Sequence, residues 1–341
     1  MKRVLVCRLD SDGDVLLTGP AIRAVAAGAS HVTFLCGPRG RAAAELLPGV
    51  DGVIEFATPW IDLEPPPVRR DELLALADRI AATASDEALV FTSFHQSALP
   101  TALVLRLAGV PRIAAISEDY PGSLLDVRHR DPGDVHEVER ALSLAEAAGY
   151  APLPGDDARL TVLRPRAGEP SPAGDTPYVV VHPGASAPAR TWAADRSAEL
   201  VEALAAAGRR VVVTGARSER VLTAFVAGRA GLDLGGLTDL AGLADVLAAA
   251  DAVVVGNTGP AHLSAAVGTP VVSLFAPVVP AGRWRPWGVP HVLLGDQDAA
   301  CRDSRARVCP VADHPCLDGV PHAAVVAAVD ELAPAHSEAA A

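Results

Sequence analysis

The stretch DAVVVGNTGPAHLSAAVGTPVVSLF, residues 251–275, contains two Val-rich runs on either side of a small-residue segment of helical length. The runs predict strands at 251–255 and 271–275, because short β-branched runs bounded by Gly and Pro are typical of buried strands. Pro260 stands where a helix takes its first residue, which places a helix between the strands. This order indicates a βαβ unit of a parallel sheet.

The same alternation of strand-like and helix-like segments extends over the rest of the chain. In the second half it predicts strands at 178–182, 209–214 and 291–294, and a helix at 193–207 that ends at Gly208. In the first half it predicts strands at 3–9, 31–36, 53–56, 88–92 and 112–115, with helices at 71–84 and 134–148. Two successive sets of such units indicate an α/β protein with two parallel sheets.

The segment RPRAGEPSPAGDTP, residues 164–177, separates the two sets. It contains four prolines and two glycines and almost no apolar residues, which is typical of a linker. We therefore expect an N-terminal Rossmann-like domain at 1–163 and a C-terminal one at 178–320. Residues 321–341 are expected to be a helix and a tail, and this helix can pack back on the N-terminal domain. Ligands of such sheets bind beyond the carboxyl ends of the strands, which directs attention to the loops there.

The charge and composition of the chain argue against some classes of binding partner. Lys and Arg number 29 against 41 Asp and Glu, and the resulting net charge of −12 opposes binding to nucleic acid or to anionic membranes. The first apolar run stops at Leu9, too short for a signal peptide, and no apolar stretch is long enough to span a bilayer. These features predict a cytoplasmic globular protein without a transmembrane segment, and they leave peripheral membrane contact open.

Five cysteines at irregular spacing do not form the framework of a secreted disulfide protein. Cys7 and Cys36 lie in strand-like runs and are interpreted as packing residues. Three more cysteines and a histidine lie near the C-terminus, at Cys301, Cys309, His314 and Cys316. They leave three alternatives: a zinc site that lacks the usual C-x-x-C pair, free thiols, or a local disulfide.

The stretch LDSDGDVLLTGP, residues 9–20, places Asp10, Asp12 and Asp14 at alternate positions after the first strand. An EF-hand calcium loop starting at Asp10 requires Gly at its sixth position and Glu at its twelfth, where this chain has Val15 and Ala21. The calcium interpretation therefore fails. Proton abstraction and simple solvation of a turn remain.

Two loops in the second half have the residue types of a diphosphate site. HPGASAPARTW, residues 182–192, offers small residues whose amides can approach a phosphate, together with Ser186 and the cation Arg190. An ordinary turn with a solvated arginine is the alternative. GNTGPAHL, residues 256–263, begins a helix, so Thr258, Gly259 and His262 can hold an anion at the positive end of the helix dipole. A packing role for His262 stays open.

Four stretches together resemble glycosyltransferase family 9, the ADP-heptose heptosyltransferases. They are RLDSDGDVLLTGPAIRAV, HPGA followed by a basic residue and Trp192, NTGPAHLSAAVGTPVVSLF, and CPVADHPCLDGV. The resemblance spans nearly the whole chain in the family's order. It implies the GT-B fold, in which two Rossmann-like domains face each other across a cleft, with the acceptor on the first and the nucleotide sugar on the second. It also implies inverting, metal-independent transfer of a heptose-like sugar from an ADP-sugar, with ADP-heptose as the expected donor and no cofactor.

The resemblance assigns a role to the carboxylates of the stretch at residues 9–20. Asp14 matches the family's general base, and Gly13 is expected to let its loop turn tightly beside the substrate. Asp10 and Asp12 stand where the family has small or apolar residues. They either raise the basicity of Asp14 by repulsion or face water, and we favour water for both.

In the second half, Arg190 matches the family's phosphate-binding basic residue. The helix-start residues of the family match Thr258, Gly259 and His262, and all four groups would neutralise charge on the leaving diphosphate. Asn257 replaces an Asp that is common in the family, which leaves the donor sugar or its orientation open. Asp233 resembles the acidic ribose-binding position.

The acceptor can be a glycan, a lipid-linked sugar or a small molecule, and the sequence offers only candidate contacts. These are His95, Gln96, His136 and Arg140. His136 and Arg140 are four residues apart on one helical face, so they can equally form a local surface pair. A nucleotide-sugar-binding protein without activity and a sugar-nucleotide epimerase are alternative functions for the same fold.

Overall fold

The structure, a computed structural model, describes residues 1–62 and 64–334, which divide into two compact units. The first unit is Met1–Leu163, and the second begins at Arg164. Residues 164–177 contain turns and bends and neither a helix nor a strand. Each unit has its own parallel sheet and its own buried core.

The first unit is a six-stranded parallel sheet with helices between the strands. Its strands are β1 Lys2–Arg8, β2 Ala29–Cys36, β3 Gly52–Glu55, β4 Glu87–Val90, β5 Arg112–Ile116 and β6 Val127–His129. Its helices are α1 Asp12–Leu17, α2 Gly19–Gly28, α3 Arg41–Leu46, α4 Arg70–Ala81, α5 Leu99–Leu107 and α6 Glu137–Ala148, with short 3₁₀ turns at Pro38–Gly40 and Gly122–Leu124. The strand order is β3-β2-β1-β4-β5-β6.

The second unit repeats this plan. Its strands are β7 Val179–His182, β8 Val211–Val213, β9 Gly231–Asp233, β10 Ala252–Gly256, β11 Val271–Leu274 and β12 His291–Leu294. Its helices are α7 Ala194–Ala206, α8 Arg220–Ala227, α9 Leu240–Ala248, α10 Gly259–Ala266, α11 Ala281–Trp284, α12 Pro315–Asp318 and α13 His322–Leu332, with 3₁₀ turns at Pro188–Arg190 and Arg217–Glu219. The strand order is β12-β11-β10-β7-β8-β9.

Both sheets reverse their strand order at the middle. In the first, β1 lies between β2 and β4, and Cys7 pairs with both Leu35 and Val90. In the second, β10 lies beside β7, with Val255 paired to His182. Loops that leave neighbouring strands in opposite directions open a crevice at the carboxyl ends, and ligands bind there.

The predicted α/β class is confirmed, and every strand predicted from the sequence is present with small shifts at its ends. Strand β6, of sequence Val-Arg-His, was not predicted, because its three residues lack an apolar run and lie at the sheet edge. Cys7 and Cys36 are buried in β1 and β2, which confirms their interpretation as packing residues.

The last described helix, α13, packs against α7 and against strands β10, β11 and β12 of the second unit. Val325 and Val329 are fully buried in that core. The possibility that this helix also packs on the first domain stays a prediction. Residues 335–341 of the expected tail lie outside the described residues. Among the helices that the structure describes, none is long and apolar enough to cross a bilayer.

Candidate active site

A buried arginine organises the edge of the first sheet where β1 and β4 end. Arg8, the last residue of β1, is 3% exposed. Its three guanidinium nitrogens lie opposite three different carboxylates: Nε is 2.8 Å from Asp10, Nη2 is 3.1 Å from Asp14, and Nη1 is 3.6 Å from Glu137. Nη2 also donates to the Ser93 hydroxyl at 2.8 Å. Burial opposes the charge on Arg8, but the three carboxylates more than offset this and raise its pKa.

Asp14 is the carboxylate of this cluster that reaches solvent. Its side chain is 22% exposed, against 11% for Asp10 and 2% for Glu137. Its Oδ1 accepts from Arg8, and its Oδ2 accepts from the Ser11 hydroxyl at 2.9 Å. The carboxylate is therefore oriented from both sides and still accessible to a substrate.

The expectation that Asp10 faces water is wrong, and Asp12 is only partly exposed. Asp10 is buried, pairs with Arg8 and accepts a hydrogen bond from the Gln96 amide. Burial raises the pKa of Asp10, although Arg8 opposes this. Asp12 accepts from the backbone N–H of Ala43 at 3.0 Å, and burial raises its pKa to about 6. The burial of Asp10 was not expected, because acidic residues after a strand are more often solvated than buried.

Gly13 also differs from expectation. It lies inside α1, and it is buried, whereas we expected it to provide a tight loop turn. It is not among the glycines with positive φ. The turn into the helix is made instead by Ser11, in extended conformation at the N-cap.

Two of the acceptor candidates lie in the loop after β4. His95 is exposed and its ring packs edge-on against Phe94, with centroids 5.3 Å apart. Gln96 is partly buried. It accepts from the Ser93 N–H at 3.0 Å and donates to Asp10. Its amide therefore connects the β4 loop to the carboxylate cluster.

The other two acceptor candidates, His136 and Arg140, are buried at 2% and 4% exposure, so the surface-pair interpretation is wrong. His136 is the N-cap of α6, and its Nδ1 accepts from the Val138 N–H at 3.2 Å. Arg140 donates to the Thr92 carbonyl and lies 3.4 Å from Asp131, and burial lowers its pKa. Both side chains hold the end of β4 and the start of α6 in place.

In the second sheet, the loops after β7 and β10 meet at the strand reversal. A Cβ on Gly256 would lie 2.8 Å from the Arg190 carbonyl oxygen. Only glycine lets the backbone of the Pro188–Arg190 turn come this close to the end of β10. The predicted phosphate-binding arginine is thereby brought beside the loop that begins α10.

The start of α10 has the form expected of an anion site. Thr258 is its N-cap and Gly259 its first residue. The Thr258 hydroxyl oxygen is buried and has no hydrogen-bond partner within the described part of the chain. His262, one turn further on, is 5% exposed. Helix N–H groups, a buried hydroxyl and a positive dipole end together favour an anionic ligand.

The remaining donor candidates differ from one another in exposure and in hydrogen-bond partners. Ser186 is exposed in the loop after β7. Asp233 ends β9 and accepts from the Gly235 N–H at 2.8 Å. Asn257 is buried, and its carboxamide both accepts from the N–H and donates to the carbonyl of Ala276, each at 3.4 Å. Asn257 therefore joins the loop after β10 to the loop after β11.

Sequence reasoning missed Glu219, which follows β8. Its carboxylate occupies the space where a Cβ on Gly184 would be, and Oε2 accepts from the Ala216 N–H at 2.7 Å. His182, at the end of β7, lies 3.0 Å from the Thr214 hydroxyl, and burial lowers its pKa. Gly184, two residues beyond the end of β7, was the available signal, because a glycine near a strand end leaves room for another side chain.

The C-terminal cysteines are free, with Cys301 and Cys316 buried and Cys309 partly buried. His314 lies 3.1 Å from the Ala189 carbonyl. In residues 1–62 and 64–334, no group of three or more His, Cys, Asp and Glu side chains is arranged to hold a metal ion. The structure therefore shows free thiols at all three positions.

A model of glycosyltransferase family 9 (heptosyltransferase) matches residues 74–313. Lipopolysaccharide heptosyltransferase 3 of Escherichia coli is 31% identical over 175 residues, which are 46% of this chain and 47% of that protein. This chain thus aligns with about half the length of that curated relative.

Solved structures agree on the fold. E. coli heptosyltransferase WaaC with ADP-2-deoxy-2-fluoro heptose superposes with a TM-score of 0.72 at 22% identity, covering 97% of this chain and 100% of that one. The iron-containing dodecameric glycosyltransferase TibC of enterotoxigenic E. coli gives 0.58 at 15% identity, covering 97% and 76%. The expected GT-B class of fold, with two Rossmann-like units, is confirmed.

The half-buried position of Asp12 generates a pH prediction. Its pKa of about 6 in the folded chain exceeds the ordinary aspartate value of about 4, so stability falls as pH rises from about 4 to about 6 and stays lower above that. Asp12→Asn keeps an oxygen for the Ala43 N–H and removes that charge. We expect the variant to be more stable than the parent by about 1–2 kcal/mol at pH 8, since the side chain retains some exposure, and the difference to vanish near pH 4.

Urea unfolding at both pH values measures this difference. Asp71→Asn, at an exposed carboxylate of α4, is the matched control and should change stability little at either pH. Equal stability of Asp12→Asn and parent at pH 8 would contradict the argument.

Proposed function

The chain belongs to glycosyltransferase family 9, and on that premise we propose that it transfers a heptose-like sugar from an ADP-sugar, preferably ADP-heptose, to an acceptor hydroxyl. The observation that carries this proposal is the meeting of the Arg190 turn and the start of α10 where β7 and β10 end. The solved heptosyltransferases with ADP-heptose analogues support the choice of donor.

We infer that the second unit binds the donor through its diphosphate. Arg190 offers a guanidinium that can contact two phosphate oxygens, and the Thr258 hydroxyl and the first N–H groups of α10 offer further donors. As the sugar leaves, negative charge grows on the diphosphate, and these groups are already in place to stabilise it. Asp233 and Glu219, after the neighbouring strands, are the carboxylates available to the ribose hydroxyls.

Asp14 acts as the general base in the first unit. Its exposed carboxylate takes the proton of the acceptor hydroxyl while that oxygen forms a bond to the anomeric carbon of the donor. The bond from that carbon to the phosphate oxygen breaks at the same time, and ADP leaves from the opposite face. This geometry inverts the anomeric configuration. The acceptor is a hydroxyl-bearing glycan, lipid-linked sugar or small molecule that reaches the loops after β1 and β4.

The role of Asp14 is tested by replacing it with Asn, which has nearly the same size but cannot take a proton. We expect kcat for ADP release from ADP-heptose, with a sugar acceptor identified by screening, to fall roughly 10²- to 10⁴-fold. Affinity for ADP should be unchanged, because the proposed donor loops belong to the second unit.

Asp12→Asn, in the same helical turn, is the matched control and should keep near-normal turnover. Product analysis with and without acceptor separates the alternatives: an epimerase alters the donor without acceptor, and a binding protein releases no ADP. Near-normal turnover in Asp14→Asn would remove it from the mechanism.

Donor binding is tested at Arg190. Arg190→Ala should weaken ADP binding by roughly 1–3 kcal/mol, the usual contribution of a hydrogen bond to a charged group. Isothermal titration calorimetry measures this directly. Arg196→Ala, which removes an exposed arginine of α7 in the same unit, should leave the affinity unchanged. Equal affinities of Arg190→Ala and parent for ADP would contradict the assignment.

Turnover is expected not to need an added metal ion, since Arg190 and the start of α10 supply positive charge at the leaving group. ADP release should therefore keep its rate after treatment with EDTA. Loss of activity that magnesium or manganese restores would overturn this expectation. Loss that only iron or zinc restores would also overturn it and would direct attention to the C-terminal cysteines.

A further inference from the structure

The cluster around Arg8 contains more carboxylates than are needed to orient a single catalytic base. Asp10 and Glu137 are both buried, and both lie against the guanidinium that also contacts Asp14. Burying two carboxylates against one arginine that also contacts a third is unfavourable unless the charges compensate one another closely. Asp10 and Glu137 each interact with the guanidinium of Arg8. This reduces the stabilisation that its positive charge gives to the ionised form of Asp14.

The elements around α1 contribute further charged or titratable groups. These are Asp12 of α1 itself, Arg39, Arg41 and Glu45 before and within α3, His95 after β4, Asp131 before α6, and His136 and Arg140 at the start of α6. Arg140 is tied to Thr92 and Asp131, and Arg39 lies 3.6 Å from Asp62. Arg8 contacts Asp14 directly, with Nη2 3.1 Å from Oδ1.

We propose that Arg8 is a positioning residue that keeps Asp14 ionised and oriented, and that Glu137 and Asp10 moderate this effect by sharing the same guanidinium. The proposal rests on the proposed function for its catalytic meaning. The members of the cluster come from β1, from the loop after β1 and from α6. Three parts of the first unit therefore set the protonation of Asp14 together.

Opposite shifts distinguish this arrangement from a merely structural one. Removing the positive charge of Arg8 should make Asp14 harder to ionise, whereas neutralising Glu137 should leave more of that charge to Asp14 and make it easier to ionise. A structural defect would move the Asp14 titration in one direction in both variants or leave it unchanged.

The first measurement does not depend on substrate. Aspartate labelled with carbon-13 at the carboxyl group is incorporated, and the Asp14 signal is assigned by its loss in Asp14→Asn. Its titration midpoint should rise by roughly 1–3 pH units in Arg8→Gln and fall by a smaller amount in Glu137→Gln. Arg106→Gln and Glu146→Gln, at α5 and on the outer face of α6, are the controls and should leave the midpoint unchanged.

Glu137→Gln keeps the test decisive if Arg8→Gln does not fold, because it removes a charge without leaving three carboxylates uncompensated. An unchanged or raised Asp14 midpoint in Glu137→Gln would overturn the proposal. So would an unchanged or lowered midpoint in a folded Arg8→Gln.

The second measurement is the pH dependence of ADP release from ADP-heptose. Its acidic limb should move to higher pH in Arg8→Gln and to lower pH in Glu137→Gln, with unchanged affinity for ADP. If the carboxyl titration shifts as expected but Asp14→Asn retains turnover, the base assignment fails and Arg8 has no catalytic group to position. If Asp14→Asn is inactive and the titration does not shift, the proposed function stands and the positioning inference fails.

Discussion

Parallel pairing of each unit's first strand with its fourth is the constraint on which both candidate sites depend. The pairing of β1 with β4 brings the loop of Asp10 and Asp14 beside the loop of Ser93 and Gln96. The pairing of β7 with β10 does the same for the Arg190 turn and the start of α10. Residues far apart in the chain become neighbours because parallel strands end at the same edge.

Much of this could be read from the sequence because the signals are local. Val-rich runs, the Gly-Asn-Thr-Gly-Pro segment and the proline-rich stretch before residue 178 each reflect backbone preferences of a few residues. The class of fold, the principal strands and the loops that carry the candidates followed from them. Strand β6 could not be predicted in this way, since its pairing with β5 depends on contacts for which its three residues carry no local signal.

What could not be read is the environment of charged side chains. Asp10, Asp12, His136 and Arg140 look like surface residues in isolation, and all four have buried or partly buried partners in the folded chain. Burial of a charge depends on whether a partner from elsewhere arrives in the right geometry. Arg8 was not singled out for the same reason: its partners Ser93 and Glu137 lie 85 and 129 positions further along the chain. Similarly, Gly184 indicates that room is left beside it but not that the carboxylate of Glu219 fills that room.

Because Arg8 is buried, its ion pairs respond to added salt differently from the charges of the proposed donor loops. Dissolved ions screen charges that face solvent over about 10 Å at ordinary ionic strength, but they screen buried ion pairs much less. Ser186 is exposed and Arg190 is half-buried, so attraction of an anion to the donor loops weakens as salt is added. Arg8, with 3% exposure, and its buried partners Asp10 and Glu137 are screened far less. Under the proposed function, added salt therefore weakens the encounter with the donor, while the ion pairs that hold Arg8 in place beneath Asp14 persist.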